Sequence, residues 1–335
     1  MFIRTRRMVG SAAPMAALLL CCAACGGAAP APPEPGPPPL PPLGPLPLLL
    51  PAGAELVLVA KPAELMSSPA VRRVVDAVTP PELLDAFARR TGVEPHEVEE
   101  VVFAEYETGF LLLARGPWPA ADVVRAAEQR MNSIEARSDA PFFRRSGWLG
   151  TERRDLTALA EHVLLVTADA PLETAAVLAR AERGSFAEDD GGAALEDPEL
   201  GPLLAEVGDA PVLLVVPEPL ALPPGLGTTT LLSGERALSA TLTPSGQDGL
   251  ALTVTLIGAF PEGAEHNFRA LVDSVANSGL GVALGIAEAL ETLRIQVEEG
   301  SVVLRLRLSA PAVAVGLRML FLAEIREIVA PPEVR

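Results

Sequence analysis

Apolar and polar positions alternate in two rhythms along most of this chain, and the switches between them divide it into short elements. Period two, the signature of a strand with one wet face, is plainest where Val302, Leu304, Leu306 and Leu308 alternate with Val303, Arg305 and Arg307. It recurs at Leu238, Ala240 and Leu242 between Ser239, Thr241 and Thr243, and resumes after a turn through Leu250, Leu252, Val254 and Leu256. Apolar runs at Glu55 to Ala60, Glu100 to Tyr106, Gly109 to Arg115, His162 to Thr167 and Pro211 to Val216 predict further strands, the second and third joined as a hairpin at Glu107-Thr108, and a strand pair is expected around Phe142 to Arg154. Ile295 and Val297 begin a further strand, which Glu299-Gly300 turns.

Helical spacing predicts helices at Ala70 to Val78, Pro81 to Arg90, Pro119 to Met131, Leu172 to Arg183, Glu199 to Glu206, Glu262 to Ser278 and Val282 to Leu293. Pro81 suits a first helical turn and Gly92 closes the same helix. A last helix is expected from Ala312 to Val329. Taken in order, residues 53–208 and 209–335 each run lone strand, helical matter, hairpin, helix, hairpin, helix. The expected fold is therefore α+β in two similar halves, each a mainly antiparallel sheet with helices packed on one face.

The N-terminal part follows different rules. Arg4, Arg6 and Arg7 give a basic start, Ser11 to Leu20 is almost wholly apolar, and Ala23-Ala24 precede Cys25-Gly26. The apolar run is shorter than the ~20 residues a spanning helix needs and is interrupted by Pro14. Residues 1–24 thus read as a cleaved signal peptide. The small residues before Cys25 resemble the lipobox of bacterial lipoproteins, with Cys22 standing where that family usually has Leu. The resemblance implies diacylglycerol on Cys25, cleavage before it and acylation of its new amino group, and Gly26 in place of Asp implies sorting to the outer membrane. Residues 25–52 are nearly all Pro, Ala, Gly and Leu, a composition that favours polyproline II and predicts a stalk. The order of elements beyond it resembles uncharacterised lipoproteins of GC-rich Gram-negative bacteria.

Charge narrows the partners. The chain has 26 Lys+Arg against 43 Asp+Glu, a net of −17, and loss of the three signal arginines takes the exported part to about −20. Nucleic acid is not an expected partner, and the body as a whole repels anionic lipid headgroups. All three cysteines, Cys21, Cys22 and Cys25, lie in the signal region, so the exported part forms no internal disulfide. The acidic stretches Glu188-Asp189-Asp190 and Glu196-Asp197-Pro198-Glu199 lack the ligand spacing of a calcium loop and read as solvated.

Candidate chemistry is sparse. His96, His162 and His266 are scattered, with no second histidine at metal-sharing spacing, and no nucleophile elbow, phosphate loop or dinucleotide fingerprint occurs. Neither a metal nor a cofactor is expected. The function that follows is a membrane-anchored, non-catalytic interaction or scaffold module of the cell envelope. A carrier of lipid or another apolar ligand is the alternative, and a hydrolase using paired carboxylates is a second. The last helix supplies a candidate contact: Val313, Leu317, Leu320, Phe321 and Ile328 form one apolar stripe, while Val315, Met319, Leu322 and Val329 form another. A helix covering a sheet needs one stripe. The second is either buried between the halves, or Val315, Met319 and Leu322 dock an envelope partner or a second copy.

Overall fold

A computed structural model describes residues 43–137, 142–149, 152–183, 200–205, 210–217, 234–261 and 263–318. Its strands are β1 (Leu56–Ala60), β2 (Glu100–Tyr106), β3 (Gly109–Arg115), β4 (Asn132–Arg137), β5 (Phe143–Leu149), β6 (Glu152–Ala160), β7 (Val163–Ala168), β8 (Val212–Val216), β9 (Glu235–Ser245), β10 (Gly249–Gly258), β11 (Arg294–Glu298) and β12 (Ser301–Ser309). The helices are α1 (Pro62–Ser67), α2 (Pro69–Val78), α3 (Pro81–Thr91), α4 (Ala120–Glu128), α5 (Pro171–Arg183), α6 (Leu200–Ala205), α7 (Ala264–Ala276), α8 (Gly279–Ala283) and α9 (Ile286–Ala289), and residues 310–318 form α10. The helix starts obey the sequence rules. Pro69 and Pro81 sit in the first turns of α2 and α3, and Gly92 closes α3 in the left-handed region at φ 72°.

The fold is α+β. All twelve strands join one sheet in the order β11-β12-β10-β9-β8-β1-β2-β3-β7-β6-β5-β4, and neighbours are antiparallel throughout. The halves meet at the centre, where Val57 to Ala60 pair with Val215 to Val212. Outward from that pair both halves follow one plan. A lone strand is flanked by a hairpin (β2-β3 or β9-β10), and then by a second hairpin entered through its last strand (β7 before β6, β12 before β11). The first half adds the hairpin strands β4 and β5 at its outer edge.

Burial differs between the halves, and this difference positions the candidate site. In the first half both faces of the sheet are covered. Phe103, Leu112, Leu156 and Val166 pack under α3 and α4 through Phe87, Val123 and Val124. On the opposite face Val57, Val102, Leu111, Leu113 and Leu165 pack under α5 and α6 through Val177, Ala181, Leu203 and Leu204. The helices of this half thus lie on both faces, more cover than the one face expected from sequence. In the second half Leu250, Leu256, Val302, Leu304, Leu306 and Leu308 pack under α7 and α10 through Phe268, Val272, Val313 and Ala314. Helix α2, although it belongs to the first half, reaches across and gives Ala70 and Val74 to this core. Its Arg73 pairs with Asp248 and donates to the Gln247 carbonyl in the β9–β10 turn.

The folded part begins earlier than the composition predicts. Leu46, Leu49 and Leu50, expected in the stalk, have 0% exposure and plug the first half's second core. Leu46–Leu49 form a 3-10 turn. Arg115 donates to the carbonyls of Leu43 (3.1 Å) and Gly44, Arg180 to that of Leu49 (3.3 Å), and the Tyr106 hydroxyl to that of Pro51 (3.1 Å). A proline-rich run has few amide donors but keeps its carbonyls, and these donors from the body satisfy four of them. Residues 43–51 therefore belong to the folded part and not to the expected stalk. Sequence also missed α1 and β4, and the helix expected over Val282 to Leu293 is broken into α8, α9 and a 3-10 turn at Leu290–Thr292.

Candidate interaction face

Registers carry one face of the sheet continuously from the first half into the second. Val59, Leu213, Thr241, Thr253, Arg305 and Arg294 lie opposite one another in succession across β1, β8, β9, β10, β12 and β11. Val57, Val215, Ser239, Thr255, Val303 and Gln296 form the neighbouring row. Cross-strand partners share a face. The face that is apolar and helix-covered in the first half stays buried at Ala237 and Ser239 of β9, with Ile257 packed against the same core, and then passes into a mixture of threonines, Val303 and arginines across β10, β12 and β11. No described helix covers it there: the clustered side chains of α7 and α10 belong to the core on the other side.

The outer end of this face is basic. Arg294 stands directly across from Arg305, and Arg307 follows two residues along β12, with all three exposed. The Arg305 guanidinium donates to Gln296 Oε1 at 3.1 Å, and Gln296 Nε2 donates in turn to Glu298 Oε1 at 2.6 Å. Arg294 donates to the Leu293 carbonyl at 3.2 Å. No carboxylate among the described residues pairs with any of the three. Like charges directly opposite on a sheet are destabilising, so this arrangement is a cost to the fold. Chemically, hydroxyls and arginines side by side on a sheet can bind anions and carbonyls.

The residues singled out from sequence are dispersed. Cys25, Met319 and Leu322 lie outside the described residues, as do Glu188 to Glu199. Val315 is 59% exposed on α10, whereas Val313 and Ala314 of the same helix are buried. The stripe through Val313 thus faces the core, and Val315 is not buried between the halves. His96 is exposed beside Glu94, His266 is exposed on α7, and His162 places Nδ1 at 3.2 Å from the Trp118 carbonyl. The structure brings none of them together. The arginine cluster went unrecognised because Arg305 and Arg307 served only to mark a strand, and nothing in the local pattern states that Arg294 lands opposite.

Two interior polar groups have structural roles. Arg144 and Asp155 pair at 2.6 Å across β5 and β6 in a largely buried setting. Glu100 pairs with Arg115 at 3.3 Å and accepts from the Leu46 amide; burial outweighs both and raises its pKa above the ordinary carboxylate value. Burial also raises the Tyr106 hydroxyl, assisted by Glu173.

No protein-family model matches the sequence, and no curated protein matches it. Crystal structures of a protein named TP0453 share the fold. One crystal form aligns with TM-score 0.52 at 15% identity over 83% of this chain and 98% of that one, and a second with TM-score 0.50 at 16% identity over 82% and 97%. At such identity the likeness concerns architecture alone.

Proposed function

We propose that this chain is a lipid-anchored, non-catalytic interaction module of the cell envelope, tethered at the outer membrane through Cys25. It meets an envelope protein through the open face of β9, β10, β12 and β11. The observation that carries this reading is the asymmetry of the sheet: one face is core in the first half, while in the second it is a rigid field of Thr241, Thr253, Thr255, Arg305 and Arg294. A sheet braced on its other face by α7 and α10 presents such a surface with little conformational entropy left to lose on binding. At ~3.1 Å per residue, a stalk over residues 25–42 sets the body at most about 55 Å from the bilayer.

The carrier reading receives less support in the first half, where Leu46, Leu49 and Leu50 of the chain itself pack into the core between the sheet and α5 and α6. Mass spectrometry tests the proposal in two steps. Denaturing spectra of the membrane-extracted protein should show acyl chains on Cys25, with processing lost in Cys25→Ala. Native spectra should then show no co-purified lipid beyond that anchor. An unacylated mature chain in the soluble fraction would overturn the tether, and a stoichiometric apolar ligand would favour the carrier.

A further inference from the structure

Building on that reading, we infer the class of partner: a helix of another protein lies along β9 and β10 on the open face, with two carboxylates four residues apart directed at Arg305 and Arg307. The internal plan of the fold marks the place. β7 and β12 each enter the second hairpin of their half, and each is followed by a helix, α5 after β7 and α10 after β12. α5 packs on the face of Val57, Leu111 and Leu165 through Val177 and Ala181, whereas α10 packs on the opposite face through Val313 and Ala314. Among the described residues, the second half therefore lacks the helix that its own plan sets on the open face. In place of the large aliphatic side chains that receive α5, this face offers Thr241, Thr243, Ala251 and Thr253, all half-buried.

Dimensions and charge specify the helix. Beyond the first-half cover over β8, to which α6 belongs, β9 and β10 form a floor and the arginines of β12 a far wall. β8 and β12 are three strand spacings apart, about 14 Å, and a helix with its side chains is ~10–12 Å across. The registers set Thr243, Ala251 and Arg307 in one row and Thr241, Thr253, Arg305 and Arg294 in the next. Two residues along a strand span about 6.7 Å, and carboxylates at i and i+4 of a helix are separated by a rise of about 6 Å. A helix aligned with β12 thus delivers one carboxylate to Arg305 and one to Arg307, and Arg294 adds a third cation to the wall. All three arginines are exposed, and none has a carboxylate partner among the described residues. Glu298, the carboxylate on this face of β11, stands opposite Ser301 at the other end of the strand, where Gln296 donates to it. A sheet face left to water needs only polar side chains of either sign. Here a chain of net charge −17 gathers three cations, two of them directly opposed at a cost to the fold. Incoming carboxylates relieve that repulsion and form charge-assisted hydrogen bonds with the guanidinium groups.

The test uses the exported chain, residues 25–335, and a fluorescein-labelled, alanine-based helical peptide of about four turns with glutamates at i and i+4, followed by anisotropy. Binding is expected, weakened about tenfold by Arg305→Gln with Arg307→Gln, which together remove two exposed charge pairs. It is expected to be lost with Ala251→Trp, which fills the floor beneath the helix. Loss is also expected for a peptide of the same composition whose glutamates are two residues apart, on different sides of the helix, and for one with lysines in their place. The re-spaced peptide reads the wild-type protein, so this arm does not depend on the folding of a variant, and circular dichroism confirms that the exposed double variant remains folded. Undiminished binding of the re-spaced peptide would overturn the helical geometry, and undiminished binding to the double variant would overturn the role of the arginines. No binding of the parent peptide at millimolar concentration would overturn the inference, while the lipid anchor and the broader contact through the open face keep their own tests. An arginine-dependent dimer in sedimentation of the protein alone would assign the face to a second copy. Arginine-dependent binding to phosphatidylglycerol vesicles without binding of the peptide would assign it to headgroups. Either result would overturn the assignment to another protein.

Discussion

Glu100 and the three plug leucines carry single-residue consequences that can be measured separately from function. The Glu100 carboxyl has a raised pKa because it is largely buried where Leu46 docks, so its neutral form suits the folded state better than its charged form. The stability linked to the proton is fully present below the unfolded value and is lost as pH rises through the folded one. Glu100→Gln, neutral throughout, should therefore gain melting temperature relative to the wild type between pH 4.5 and pH 7, the starting point being the ordinary carboxylate value. A difference independent of pH would contradict this account. Leu49→Ala removes a side chain with 0% exposure from the plug and should cost about 2–5 kcal/mol in denaturant unfolding. An unchanged midpoint would return residues 43–51 to the stalk. Composition concealed this role, since a leucine within a proline-rich run reads as spacer until Arg115, Arg180 and Tyr106, each distant in sequence, are seen to donate to its carbonyls.

Among the elements, the β11–β12 hairpin is the place where stability and proposed function pull apart. Arg294→Glu replaces a like-charge pair with an opposite one across from Arg305, and should stabilise the fold by about 0.2–1 kcal/mol. The same change removes a cation from the proposed contact face, so the melting temperature and the yield of a partner adduct are expected to move in opposite directions. The strand β12 was plain in its alternation, and the hairpin turn at Glu299-Gly300 was marked by glycine, which adopts φ 83° there. Register was not legible, because it depends on how many residues the turn consumes. The strand β4 was hidden for another reason: Asn132, Ser133, Ile134 and Glu135 are all exposed, so edge position and the bulge leave no alternation to read.

Across the whole molecule, one shared sheet and a core to which both halves contribute predict a single cooperative unit. The central β1–β8 pair fuses their sheets, and α2 carries Val74 from the first half into the core of the second, while Arg73 grips the β9–β10 turn. Calorimetry should give a single transition, and Val74→Asp, which buries an unpaired carboxylate, should lower it for the entire protein by more than ~2 kcal/mol. Two separated transitions would show that the halves unfold independently. The α+β class and the repeated order of elements were readable from periodicity alone, because each strand and helix writes its own pattern. The fusion of two sheets into one was not, since β1 and β8 are equally apolar and their pairing rests on contacts between residues far apart in sequence.

The central claim is that the open face of the second half meets a partner protein in the envelope, and site-specific photocrosslinking in living cells tests it most directly. A photoreactive residue replaces Thr253, in the middle of that face, and in a control replaces Glu82, an exposed residue of α3 on the other side of the sheet. The account predicts a discrete adduct of defined mass from position 253, diminished by Arg305→Gln with Arg307→Gln, and none from position 82. Equal labelling from both positions, or an adduct at 253 indifferent to the arginines, would contradict it.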